Sequence, residues 1–175
     1  DRFMFEVLVD YPDEDEEFEI VRQTTTQSHP SVEEVISLDE IAALQAIVRK
    51  VPVADHVIRY AMQFARLTRK EKGDVPDFIN DYVSWGAGPR ASQYLILGAK
   101  ARSMLQGRAY VSTDDVRAVA PPVLRHRIIT NFNAEAEGVT TDEIVRRLAK
   151  IIPTDASALS GSGKLPPIFK SANVE

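Results

Sequence analysis

The sequence predicts a mainly α-helical fold, a small helical bundle preceded by one strand and one helix. Apolar residues recur at steps of three and four along most of the chain after residue 37, as they do on the buried face of a helix. Serine, threonine or aspartate precedes several of these stretches, and glycine or proline ends them. Only residues 3–9 show the alternation of a strand, with Phe3, Phe5, Val7 and Val9 on one face.

Composition limits the functional classes. With 175 residues, 44% of them hydrophobic, the chain can bury at least one sizeable core. A net charge of -5 disfavours a protein whose whole surface contacts nucleic acid. The absence of cysteine excludes thiolate metal sites, and the three histidines are too far apart in sequence for a metal motif, so no metal site is predicted. No apolar run reaches the roughly 20 residues of a membrane span, and we expect a cytoplasmic protein.

The N-terminal region predicts a strand followed by a helix. Residues 3–9 carry apolar side chains on both faces, which suits a strand buried on both sides. The chain begins without a leader or an initiator methionine, so we expect it to be cut from something longer. Acidic residues 13–17 favour the start of a helix that continues to about Arg22. Polar residues 24–31 then predict a loop, with a short extended piece at 32–36.

The remaining sequence predicts several helices and a tail. Ser37 is expected to cap the first helix, whose apolar stripe consists of Leu38, Ile41, Leu44, Ile47, Val48 and Val51. Further helices are predicted at about 53–68, 89–106, 113–120 and 141–152, the third of them ended by Pro121 and Pro122. The predicted domain division is 1–30, 31–152 and a flexible tail at 153–175.

The tail contains a stretch, Ser160 to Lys164, that superficially matches a phosphate-binding loop. Position 158 is alanine where that loop has its first glycine, and Leu165 replaces the Ser or Thr that binds magnesium. The sequence predicts no strand and helix on either side of the stretch. We therefore interpret it as a linker.

Residues 83–92, at the start of the helix predicted at 89–106, carry the strongest local indication of a ligand site. The glycines of this stretch permit a tight turn, and Pro89 suits the first helical position, which leaves N-H groups of the first turn unpaired. Arg90 follows, although a cation in the first turn is disfavoured by the helix dipole unless an anion faces both charges. Pairing of Arg90 with a surface carboxylate is the simpler alternative, and local chemistry alone favours it.

Three segments together favour the anion site at Arg90 over a surface ion pair. Residues 84–91, Ser-Trp-Gly-Ala-Gly-Pro-Arg-Ala, resemble the sensor 2 segment of MoxR-family AAA+ ATPases, whose usual form is close to Gly-Ala-Ser-Pro-Arg-Ala. Gly88 replaces the serine of that form. Residues 107–116 and 123–128 resemble the helical lid of the same family, in the same order. Residues 1–12 are similar to its segment carrying the arginine finger and the last strand of the ATP-binding domain.

The resemblance implies a helical lid at 31–152 and, at 1–30, the end of the ATP-binding domain. Arg2 would be the catalytic arginine finger, and Arg90, with Pro89 and Gly88, would contact the phosphates of ATP bound by its own subunit. The full-length protein would use ATP and Mg²⁺, form a homo-oligomeric ring, expected to be a hexamer, and remodel client proteins as a chaperone. The family's Walker A, Walker B and sensor 1 residues would precede Asp1, so this chain alone is expected to be inactive.

Two other functions remain open at this point. A helical protein-interaction module without a nucleotide role would use the stripe from Leu38 to Val51 as a docking surface, although such stripes more often form cores. Nucleic-acid binding could use the basic residues at 125–127 or 66–72. The net charge and the lack of interleaved aromatic residues disfavour the nucleic-acid alternative.

Overall fold

The computed structural model describes residues 2–26, 31–70 and 73–154. In these ranges the α-helices and strands, in chain order, are α1 (Glu14–Thr24), α2 (Leu38–Lys50), α3 (Asp55–Arg66), α4 (Asp77–Tyr82), β1 (Val83–Trp85), α5 (Pro89–Leu105), α6 (Thr113–Leu124), β2 (Ile129–Thr130), α7 (Phe132–Ala136) and α8 (Thr141–Ile151). The predicted mainly helical fold class is confirmed. The phosphate-loop-like stretch at 160–164 lies outside the described residues, and the division at residues 30 and 152 stays a prediction.

The described residues separate into two compact units, of which the first comprises residues 7–46. Its helix α1 begins with a capping box, in which the Glu16 amide donates to the Asp13 carboxylate at 2.9 Å and the Asp13 amide to the Glu16 carboxylate at 3.2 Å. Ser37 and Glu40 form the same arrangement at the start of α2. Both helix starts lie where the sequence predicts them.

The apolar stripe of α2 is not buried as the face of a core helix would be. Leu38 is 83% exposed, and Ile41, Leu44 and Ile47 are exposed as well. Val51, just beyond the helix, is buried. The periodicity of the stripe was sufficient to predict helix α2. Burial of the stripe also requires an apolar surface packed against it, and periodicity does not supply one.

The second unit comprises residues 2–6 and 47–154, and we refer to it as the bundle unit. Helices α3, α5, α6 and α8 pack on one another around a single apolar core. The inward face of α3 consists of Val57, Tyr60, Ala61, Phe64 and Ala65. Tyr60 and Phe64 meet edge to face with ring centroids 5.3 Å apart. Full burial of each such large apolar side chain contributes roughly 1.5 to 3 kcal/mol.

Helix α6 continues past the two prolines that were expected to end it. It extends to Leu124, with Pro121 and Pro122 inside it, so the predicted end at residue 120 is wrong. A proline removes its own N-H but keeps its carbonyl, and the Arg125 amide donates to Pro121 O at 3.0 Å. The Pro122 carbonyl also has a partner, the Glu6 amide at 2.8 Å. Both proline carbonyls therefore have hydrogen-bond partners at the end of α6.

The predicted strand at residues 3–9 does not form. Residues 2–12 have no regular secondary structure, and Phe3 is 83% exposed. A strand needs neighbouring strands to accept its main-chain hydrogen bonds, and the sheet in the described part of the chain consists of β1 and β2 alone. In that sheet Trp85 lies opposite Ile129 in antiparallel register.

Candidate functional site

The loop between β1 and α5 is held against the end of α3. The Ala87 amide donates to the Thr68 hydroxyl at 2.8 Å, and that hydroxyl donates to Ala65 O at 2.7 Å. A Cβ atom added to Gly86 would lie 2.2 Å from the carbonyl oxygen of Thr68, so this close approach requires glycine. Gly86 and Ala87 therefore both contact Thr68, which holds the loop at the end of α3.

Helix α5 begins without a side-chain cap. Gly88 is its N-cap residue, in an extended conformation with φ of -77°, and Pro89 is the first helical residue. A Cβ atom at Gly88 would meet nothing within 4 Å, so the serine of the family form would fit there. The Ala91 amide donates to Gly88 O at 3.1 Å, which pairs one of the N-H groups expected to be free.

A cleft of about 260 Å³ opens beside this loop. Its lining residues are Arg69, Lys70, Ser84, Trp85, Gly86, Ala87, Gly88 and Pro89. Arg69 is fixed there, since its Nε donates to Ala87 O at 2.7 Å. Trp85 is 69% exposed at the cleft. The cleft therefore combines two cations, one of them anchored, with an exposed indole ring.

Two pairs of arginines in the bundle unit repel each other, Arg66 with Arg69 beside the cleft and Arg90 with Arg127. Burial, and secondly the charge of Arg66, lower the pKa of Arg69. Burial likewise lowers the pKa of Arg127; the Tyr94 phenol opposes this effect and the charge of Arg90 adds to it. At the cleft itself the repulsion is between Arg69 and Arg66, and an anion bound beside Arg69 would relieve it.

The structure places all four predicted site residues on or beside the first turns of α5. Gly88, Pro89 and Arg90 form its start, and the Arg90 side chain is exposed. Arg2 is exposed too, and its carbonyl accepts a 3.0 Å hydrogen bond from the Tyr94 hydroxyl. Because Tyr94 follows Arg90 by four residues, the two lie on the same side of α5, one turn apart. The predicted finger and sensor segments thus meet on one helix.

The basic residues at 125–127 do not form an exposed basic patch. Arg125 makes two hydrogen bonds to the Asp142 carboxylate, at 2.7 and 3.0 Å, and His126 and Arg127 contact main-chain carbonyls of residues 3 and 4. Arg127 is 5% exposed. These contacts remove the observation on which nucleic-acid binding through this segment depended.

Sequence reasoning did not assign Arg69, Lys70 and Trp85 to the site. A signal was present, since Arg66, Arg69 and Lys70 cluster at the end of the predicted second helix. The approach of Arg69 and Lys70 to the loop depends on the contact between Thr68 and Ala87, which are 19 positions apart, and local sequence patterns do not encode such a contact.

Comparison with known proteins identifies the family. Residues 78–148 match the AAA lid domain. The chain is 29% identical to Chaperone MoxR1 of Mycobacterium tuberculosis over 98% of its own length and 46% of that protein. It is 31% identical to the uncharacterized protein YeaC of Bacillus subtilis over 91% of its own length and 48% of that protein. This chain belongs to the MoxR family of AAA+ ATPases.

A solved structure supports the same family assignment. The crystal structure of a candidate ATPase from Cytophaga hutchinsonii superposes with a TM-score of 0.77 at 29% identity, covering 88% of this chain and 47% of that one. The chain corresponds to a C-terminal part of such a protein. It spans about half the length of the relatives that it matches.

Two features are absent from the described residues of this MoxR-family chain. Among them, no helix is long and apolar enough to cross a membrane. No three histidine or acidic side chains come together there in a group that could hold a metal ion. The cleft beside α5 thus offers cations for phosphate oxygens, while this part of the chain offers no cluster of magnesium ligands.

Proposed function

We propose that this chain is the lid and sensor part of an ATPase that couples ATP binding and hydrolysis to chaperone-like remodelling of proteins. In this proposal residues 1–30 end the ATP-binding domain, residues 31–152 form the lid and residues 153–175 are a tail. We use the term full-length ATPase for this chain joined to its ATP-binding domain. Family membership supports AAA+ ATPase-type function, and the name of the M. tuberculosis relative supports the chaperone role.

The observation that carries the proposal is the cationic cleft at the start of α5. Arg90 stands on the first turn of α5, next to a loop that Arg69 and Lys70 flank. Arg69, Lys70 and the positive end of α5 at Gly88 and Pro89 border the same cleft, which suits the phosphates of ATP, and Arg90 follows Pro89 directly. Arg90 is the proposed sensor 2 residue, and Pro89 and Gly88 set its position. Trp85 offers an aromatic surface at the edge of the cleft.

The remaining features of the proposal concern the whole protein. ATP is bound with Mg²⁺, whose ligands the family resemblance assigns to the ATP-binding domain. The full-length ATPase forms a homo-oligomeric ring, a hexamer, in the cytoplasm, and acts on client proteins. Arg2 is its arginine finger, which stabilises the charge on the transferring phosphate in the neighbouring subunit.

Substitution of Arg90 tests the phosphate contact. A charge-assisted hydrogen bond contributes about 1.5 to 3 kcal/mol, so Arg90→Ala in the full-length ATPase is expected to weaken ATP binding or turnover roughly ten- to a hundredfold. Arg90→Lys is expected to restore only part, since lysine keeps the charge without the planar fork. Arg146→Ala is the matched control, an exposed arginine on α8 paired with Glu143. Wild-type nucleotide binding and turnover in a well-folded Arg90→Ala protein would exclude the sensor role.

Mixed assemblies test Arg2. Subunits with Arg2→Ala keep an intact ATP pocket, and Walker-defective subunits keep an intact finger. If the finger acts on the neighbour, mixing the two inactive proteins is expected to restore part of the activity at interfaces that combine the intact halves. No recovery despite demonstrated co-assembly would contradict the assignment of Arg2.

One observation favours a second candidate, a helical interaction module without a nucleotide role. The exposed stripe of α2, from Leu38 to Ile47, presents an apolar face that a protein partner could cover. ATP titration followed by NMR distinguishes the candidates in the full-length ATPase. Shifts centred on Arg90 and the cleft support the sensor, whereas a protein without any nucleotide-dependent shift would favour the interaction module.

A further inference from the structure

Residues 2–6 of the bundle unit are held by their main chain. The carbonyl groups of Arg2, Phe3, Met4 and Glu6 each accept a hydrogen bond from a side chain of α5 or of the segment that follows α6. The Glu6 amide donates to Pro122 O at 2.8 Å. These hydrogen bonds offset the cost of ordering the backbone of the segment, about 1 to 2 kcal/mol for each residue.

Arg127 is the centre of these contacts. Its guanidinium donates to the carbonyls of Phe3 and Met4, the latter at 3.1 Å, and to Val123 in α6. The same group lies over the ring of Tyr94, 5.0 Å from the centroid. A planar guanidinium with donors in fixed directions holds several acceptors in one geometry, which a flexible ammonium group does not do.

Tyr94 connects this cluster to the sensor helix. Its ring contacts Arg127, and its hydroxyl donates to the carbonyl of Arg2 at 3.0 Å. One turn further along α5, a Cβ atom on Gly98 would lie 3.2 Å from Phe5 Cζ and 3.3 Å from Met4 Cε, so the side chains of the segment pack closely on the helix. Arg90 stands one turn before Tyr94. The segment and the start of α5 are thereby parts of one packed assembly.

We infer that Tyr94 and Arg127 are positioning residues, which fix Arg2 relative to the helix that carries Arg90. This inference rests on the proposed function, in which Arg2 and Arg90 act on ATP phosphates. Neither Tyr94 nor Arg127 needs to touch ATP. A displacement of the first turns of α5 is transmitted to Arg2 through the Tyr94 hydroxyl and through the Arg127 guanidinium that lies over the Tyr94 ring. Binding at the sensor and placement of the finger are therefore mechanically linked.

The physical part of the inference can be tested on the chain itself. Because the chain lacks cysteine, Phe3→Cys and Gln93→Cys, both at exposed positions, allow a specific pair of spin labels. A single narrow distance distribution is expected, and it is expected to broaden in Tyr94→Phe and further in Arg127→Gln. Arg127→Lys is expected to be intermediate. Hydrogen exchange of the Glu6 amide is expected to accelerate about tenfold in Arg127→Gln.

Controls separate local release from unfolding. Tyr110→Phe and Arg146→Gln change residues of the same types away from the segment, and both are expected to retain the narrow distribution. Tyr94→Phe keeps the aromatic ring that Arg127 contacts, so the thermal stability of the fold is expected to stay unchanged in this variant. It therefore remains a valid test if Arg127→Gln lowers the thermal stability. A narrow, unchanged distribution in Tyr94→Phe and in folded Arg127 variants would overturn the inference.

The functional part uses an assembly in which only one set of fingers can act. Arg2→Ala subunits, which have intact pockets, are mixed with Walker-defective subunits that carry Tyr94→Phe or Arg127→Lys. Turnover is expected to fall several-fold while the KM for ATP stays unchanged, because the altered subunits supply only the finger. If turnover is unaffected although the label distance broadens, the positioning role is wrong. If unaltered Walker-defective subunits restore no turnover, the finger assignment of the proposed function fails instead.

Discussion

The amide of Ala87 donates a 2.8 Å hydrogen bond to the hydroxyl of Thr68, and Gly86 lies directly against the carbonyl of the same threonine. This pair of contacts joins the loop between β1 and α5 to the end of α3, from which Arg69 and Lys70 reach the cleft. The loop therefore depends on the absence of a side chain at position 86, whereas position 88 faces open space.

Replacing Gly86 by alanine is expected to disrupt the loop. The new Cβ atom would overlap the Thr68 carbonyl, and relief of that overlap requires the backbone to move, at a cost of about 2 to 3 kcal/mol in the free energy of unfolding. Gly88→Ala is the matched control and is expected to change stability by less than about 1 kcal/mol. Urea denaturation of both variants measures the difference. Equal effects at the two positions would show that the close approach at Gly86 is absent in solution.

The carboxylate of Asp115 is expected to make the fold sensitive to acid. Asp115 is 1% exposed; burial raises its pKa, but hydrogen bonds from Arg108 and Ser112 outweigh burial and lower the pKa to about 2. Since the pKa is lower in the folded than in the unfolded chain, the resulting stability is present above about pH 4 and is lost as the pH falls towards 2. The contribution is about 2 kcal/mol.

Asp115→Asn tests this assignment. The variant keeps the shape of the side chain and removes the charge that Arg108 contacts, so it is expected to be destabilised at pH 7 by about 2 to 3 kcal/mol. Its stability is also expected to vary less than that of the wild type between pH 4 and pH 2. The free energy of unfolding at several pH values provides the measurement. An unchanged pH dependence would show that another group accounts for the acid sensitivity.

The chain alone is expected to show no ATP turnover. Arginine residues that sense or stabilise phosphate charge do not replace a phosphate-binding loop and magnesium ligands, which the resemblance places before Asp1. A coupled phosphate-release assay on the purified chain, with and without Mg²⁺, provides the test. Turnover that copurifies with the chain and is abolished by Arg90→Ala would contradict the prediction.

The starts of helices were predictable because they depend on neighbouring residues. Asp13, Ser37 and Pro89 occupy the helix starts that their local sequences indicate. The end of α6 was not predictable in this way. There the carbonyl of Pro122 pairs with the Glu6 amide, a partner that is distant in sequence.

The site was predictable only in part for the same physical reason. The motif around Pro89 and Arg90 is contiguous, and its resemblance to the family identified it. The anchoring of Arg69 on Ala87 and the contact of Arg127 with residues 3 and 4 are long-range contacts formed by packing. The periodicity of residues 3–9 predicted a strand, but periodicity specifies which face is apolar and does not supply the neighbouring strands.

The segment from residue 2 to residue 6 is recognised through its carbonyl groups, and every amino acid has one. Exchange of the side chains at positions 3 and 6 therefore leaves most of the acceptors in place. The donors tolerate less exchange, because only tyrosine supplies a phenol hydroxyl at position 94 and only arginine supplies a guanidinium at position 127. During evolutionary divergence we expect positions 94 and 127 to tolerate fewer substitutions than the segment that they hold. A saturation mutagenesis survey would show this asymmetry without any measurement of ATP.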